Sequence, residues 1–160
     1  MGPAAEDRLP PDYTAAVYGS LLVTTLVVIE WRDDAHPEAV ALSLVLSIVT
    51  FWVAHVWAGI VNERVRGAVN RHQVRTIAVE ESPMLAAVVL PSLALAATGL
   101  GVSTVVAIEA ALILSLVQLF LFGLVIGRTA HSRWSVALAI ATLDFALGLV
   151  VVSLKVVVIH

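Results

Sequence analysis

Apolar residues in this chain fall into long unbroken runs, not into the alternation of a half-buried strand or the one-sided stripe of a soluble helix. A helix that crosses a bilayer needs about 20 mostly apolar residues at about 1.5 Å each. Five segments meet that length, near residues 13–31, 40–62, 82–99, 103–126 and 134–159. The first carries no charge until Glu30, and the second has His55 as its only ionisable group. Between them lies WRDDAHPEA, a polar turn in which Pro37 is placed to open the next helix.

From Ser82 to Ile126 the only charged residue is Glu109, and that stretch is about twice the length one crossing needs. It divides at Gly99-Leu100-Gly101-Val102-Ser103, giving a third helix before the glycines and a fourth after them. The pattern therefore predicts an all-α polytopic membrane protein with five transmembrane helices. A short lead, residues 1–12, precedes a single transmembrane domain, 13–160, with a loop at 63–81. The lead has three prolines and more acid than base, unlike a secretory signal, and is expected to stay on the chain. A transmembrane barrel is excluded, because its strands are ten-residue alternating segments.

Composition agrees with lipid as the main solvent: 60% of the 160 residues are apolar, 13% are charged and mean hydropathy is +0.99. With no cysteine, disulfide scaffolds, thiolate metal sites and thiol redox chemistry are removed. Net charge is -3 and the basic residues form no stripe along which a phosphate backbone could lie, so nucleic acid is not an expected partner.

Basic residues in short loops stay on the cytoplasmic side. Five crossings put Arg8, Arg64, Arg66, Arg71, Arg75, Arg128 and Arg133 on one face, seven of the nine basic residues, and leave Arg32 and Lys155 on the other. The N-terminus is therefore expected inside and the C-terminus outside. Trp31, Trp57 and Trp134 fall near the expected interfaces, where an indole is favoured. Loop 63–81 has a helical pattern and begins with arginines about a turn apart. One reading is a solvated extension of the second helix; the other makes Arg64, Arg66, Arg71 and Arg75 a site for anionic lipid head groups.

Ionisable side chains at membrane depth are costly and normally face protein or a water-filled cavity. Glu109 lies roughly 9 Å from the outer end of the fourth helix, and Asp144 roughly 15 Å from the inner end of the fifth. His55 and Gln118 fall in the inner half, while Glu30, Lys155 and His160 collect near the outer surface. Glu109, Asp144 and His55 thus form a ladder of groups able to exchange protons or hold a small cation. The competing reading is three unconnected groups that only fix helix packing.

Helical spacing adds detail. Asp144 and Lys155 lie within about 20° of one direction, on a face shared with Ala137, Ala141, Gly148 and Val151. Phe51, His55, Gly59 and Asn62 share a face of the second helix. Glu109 and Gln118 point in opposite directions, which places the fourth helix centrally or against a second copy of the chain. Gly123 and Gly127 form a GxxxG step that permits close approach of another helix. Pro91 should kink the third helix, and carbonyls freed at such a kink can bind ions. The sequence has no HExxH, GxSxG, P-loop or paired-aspartate phosphotransfer signature, so neither catalysis nor a cofactor is expected.

FWVAHVWA, ESPMLAAVVLPSLAL, QLFLFGLVIGR and LGLVVVSLKVVVIH resemble stretches of small, largely uncharacterised integral membrane proteins of high-GC Gram-positive bacteria. The resemblance covers about half of the chain at a coarse level. It implies five helices and a multi-pass protein of the bacterial plasma membrane, and carries no activity with it. Two functions compete: a proton or cation channel or transporter built as a homo-oligomer, and a non-catalytic accessory or lipid-organising subunit. An intramembrane enzyme is a distant third.

Overall fold

A computed structural model describes residues 14–30, 36–130 and 133–159. The lead, Arg8, Trp31, Arg32 and His160 lie outside those residues. Seven α-helices follow in order: α1 Thr14–Glu30, α2 Pro37–Arg66, α3 Arg71–Glu80, α4 Pro83–Ala86, α5 Val89–Ala96, α6 Thr104–Ala130 and α7 Trp134–Ile159. A short 3₁₀ turn, Ala97–Leu100, follows α5, and no strand occurs among the described residues.

The helix ends have local causes. Pro37 occupies the first turn of α2, where a missing N–H costs nothing, so α2 starts before the Val40 expected from hydropathy. Asn70 Oδ1 accepts from the Gln73 N–H, and Gln73 Oε1 accepts from the Asn70 N–H, both at 2.9 Å. This reciprocal cap starts a separate helix within the connection whose pattern already looked helical. Thus 63–81 is the last turn of α2 plus α3, which folds back along α2. Gly59 admits Ile77 there, since a Cβ on that glycine would lie 2.7 Å from Ile77 Cγ2. Trp52 Nε1 donates to the Ala78 carbonyl at 3.3 Å.

The third expected helix, 82–99, is not continuous. Pro91 has no N–H and its ring crowds the carbonyl four residues earlier, at Ala87. The helix accordingly breaks at Ala87 and Val88, one turn before the proline, and the axis bends by 41° between Arg71–Ala86 and Val89–Leu100. At the glycine-rich division, Gly101 takes a left-handed φ of 90° that a side chain would oppose, and α6 begins at Thr104.

α2, α6 and α7 are long and apolar enough to cross a bilayer, and the bent segment adds a fourth candidate if it forms one span. Within the described residues α1, at 17 residues, falls short of that test. Their outward surfaces are apolar: Leu46, Trp57, Ile113 and Leu143 are all more than half exposed. Side chains of that kind at such exposure suit lipid, not water. The interior is small, built around Val23, Val27, Leu44, Ile48, Met84, Leu95, Ile108 and Ala111.

α6 packs against α7, α5 and α1, and α1 also meets α2, α4 and α7. The pairs run antiparallel: Tyr18 meets His55 and Glu30 meets Ser43 between α1 and α2, while Gly127 meets Ala137 and Gly123 meets Ala141 between α6 and α7. Between α1 and α6, Thr24 meets Ser115, while Gly19 touches the α4 segment that Gln118 also reaches. The C-terminal ends of α2 and α6 therefore share one end of the bundle, and Arg64, Arg66, Arg71, Arg75, Arg128 and Arg133 lie at or beside it.

Candidate functional site

The most buried polar groups form a cluster where α1, α6 and the helix break meet. Ser20 and Thr24 stand one turn apart on α1, and Ser115 and Gln118 nearly one turn apart on α6. Thr24 and Ser115 are in contact, Oγ1 to Oγ, at 3.1 Å. The Thr24 hydroxyl also lies 2.8 Å from the Ser20 carbonyl, and the Ser115 hydroxyl donates to the Leu112 carbonyl at 2.8 Å. Gln118 Nε2 donates to the carbonyl of Ala86, the last residue of α4, at 2.9 Å. All four side chains are at least 94% buried.

The cluster is incompletely satisfied. Ser20 Oγ and Gln118 Oε1 are buried without a hydrogen-bond partner, as is Ser92 Oγ just past the break on α5. Native interiors leave few such atoms, and each is costly in an apolar surrounding.

Asp144 is placed differently. It sits on the face of α7 that meets α6, next to Gly123, where an added Cβ would lie 2.5 Å from Asp144 Oδ2. The missing side chain is what leaves space for the carboxylate. Asp144 is half-buried, and no hydrogen bond or ion pair reaches it among the described residues. Glu109 is exposed and likewise without such a partner among the described residues. His55 lies between α2 and α1: its Nδ1–H donates to the Phe51 carbonyl at 3.0 Å, and its ring stands 5.3 Å from that of Tyr18. Among the described residues no contact of these kinds joins any two of the three. The ladder expected from depth is thus three separate settings within the described chain.

Small residues line the α6–α7 seam. Gly127 lies against the backbone of Ala137, Gly123 against that of Ala141, and Gly148 against Leu116 and Leu119. The GxxxG step of α6 therefore meets α7 of the same chain. Continuing that register along the hairpin brings the backbone of Lys155 level with Glu109; the Lys155 side chain is outside the described residues. Pro91 is buried at the break.

At the arginine-rich end, the Arg64 guanidinium stands 5.7 Å from the Trp57 ring and that of Arg128 4.2 Å from the Trp134 ring. Arg66 pairs with Glu63 at 3.1 Å, and Arg71 and Arg75 are exposed. No cluster of three or more histidine or acidic side chains suited to a metal ion occurs among the described residues.

Of this geometry, sequence reasoning singled out Gln118 and missed Ser20, Thr24 and Ser115. Hydroxyls are common in membrane helices, and the signal that could have found these was their spacing: 20 with 24, and 115 with 118, each on one helix face. No protein-family model, curated protein or solved structure matches the chain.

Proposed function

We propose that this chain is a five-span protein of a bacterial plasma membrane, N-terminus in the cytoplasm and C-terminus outside, and that it assembles with copies of itself to pass protons or small cations past Asp144. In this reading α1 is a span together with its flanking residues, and the bent segment from α3 to the 3₁₀ turn is another. The arginine-rich end faces the cytoplasm, because basic residues near helix ends are retained there. Trp57 and Trp134, each with its arginine, sit at the level of the lipid head groups.

The observation that carries the reading is Asp144, a carboxylate near the middle of a spanning helix, half-exposed and unpaired within the described protomer. A charge in that position is costly against lipid, so it needs a partner subunit, water or a passing ion beside it. Reconstitution into liposomes with a pH-sensitive dye tests this. Wild-type protein should collapse an imposed gradient, and Asp144→Asn should abolish the flux while keeping the oligomer. Unchanged flux in the variant removes Asp144 from the mechanism.

The second reading, a non-catalytic accessory subunit, is favoured by one observation. Glu109, Asp144 and His55 have separate surroundings, and Asp144 is seated on Gly123 as a packing residue would be. Under it neither protein moves ions, and Asp144→Asn changes only thermal stability in detergent.

A further inference from the structure

The cluster at the helix break is rich in oxygen. Gln118 Nε2 is committed to the Ala86 carbonyl, which fixes the orientation of the amide and directs Oε1 away from that bond. The Ser115 hydroxyl spends its hydrogen on the Leu112 carbonyl, and the single hydrogen of Thr24 Oγ1 is taken up by the Ser20 carbonyl or Ser115 Oγ. What remains is the Ser20 hydroxyl hydrogen, the second hydrogen of Gln118 Nε2 and a larger set of oxygen lone pairs, on Gln118 Oε1, Ser20 Oγ, Thr24 Oγ1 and Ser115 Oγ. The Ala87 carbonyl joins them in kind, since Pro91 has no N–H to serve it. Two of these oxygens, on Gln118 and Ser20, are buried and unpartnered. The lone pairs outnumber the two free hydrogens, and a hard cation takes neutral oxygens of this type. Side-chain oxygens and unwound carbonyls at a broken membrane helix form the usual setting for an alkali ion.

We infer that the space between α1, α6 and the α4–α5 break is a binding site for a small alkali cation of sodium's size, held by Gln118 Oε1 and Ser20 Oγ with the neighbouring hydroxyls and the Ala87 carbonyl. The site is separate from Asp144 and stands whether or not that carboxylate conducts. Binding stabilises the folded protein, because the ion satisfies atoms that are otherwise orphaned.

Thermal unfolding of the purified protein in detergent, in sodium chloride against choline chloride at equal ionic strength, tests the inference. The melting temperature of the wild type should rise with sodium and saturate. Gln118→Leu should lose the response. Ser20→Ala, a milder change that keeps the fold testable, should need at least roughly tenfold more sodium for half the effect, equivalent to about 1.4 kcal/mol. Asp144→Asn should keep the wild-type response. Equal melting temperatures of the wild type in both salts would mean that the cluster holds water only and would overturn the site. So would a full sodium response in both Gln118→Leu and Ser20→Ala, or its loss in Asp144→Asn.

Discussion

The α6–α7 hairpin and the bent segment from α3 to α5 solve the same problem in opposite ways. In the hairpin, glycines and alanines let two continuous helices touch backbone to backbone, with each carbonyl retained in its own helix. In the bent segment a proline interrupts the helix, and side chains from α6 and α1 are gathered at the gap, Gln118 reaching the Ala86 carbonyl directly. Close packing tolerates no added volume and has no need of polar atoms. A broken helix needs them, and here Ser20 Oγ and Gln118 Oε1 are left without a hydrogen-bond partner.

That contrast predicts different sensitivities. The largest effect belongs to the seam: Gly127→Leu forces a side chain into the backbone of Ala137, which cannot move aside without separating α6 from α7. Overpacking typically costs about 1–3 kcal/mol, and a backbone obstacle puts this variant at or above the top of that range. The expected outcome is loss of the folded, monodisperse protein on size exclusion in detergent. A Gly127→Leu protein as stable as wild type would break the comparison.

Effects at the polar gap are smaller and graded. Gln118→Ala leaves the Ala86 carbonyl without its partner and should lower stability by about 1–3 kcal/mol. Thr24→Val keeps the volume and removes the one contact of this hydroxyl between helices along with its bond within α1, so about 0.6 kcal/mol is expected, the average for polar contacts between membrane helices. Unfolding in mixed micelles measures both. The reverse order would mean that the Thr24 to Ser115 contact between α1 and α6 holds the bundle more firmly than the amide bridge from α6 to the break.

Much of the fold was legible because lipid imposes a length. α2, α6 and α7 follow from apolar runs that leave no other structure open, and the turn between α5 and α6 follows from Gly99 and Gly101. The position of the break was not legible to the residue, since Pro91 acts on a carbonyl one turn earlier. The helical pattern of α3 was visible, but its polar, basic composition read as an extension of α2, and the turn at Gly67 to Asn70 that folds it back was not foreseen. The site divides in the same way. Asp144, Glu109 and His55 are conspicuous as ionisable side chains in apolar runs, but depth alone does not say which helix faces meet. The hydroxyls of Ser20, Thr24 and Ser115 are inconspicuous in sequence, and only the packing of α1 against α6 brings them together.

The conduction proposed for Asp144 depends on the bent segment crossing the membrane with the arginine-rich end in the cytoplasm. Because the chain has no cysteine, single cysteines report this directly. Ala68→Cys lies between α2 and α3, and Val102→Cys between α5 and α6, both at exposed positions. In intact bacterial cells a membrane-impermeant maleimide should label the cysteine at 102 and reach the one at 68 only after lysis. Labelling of both from outside, or of position 68 alone, would contradict the five-span arrangement.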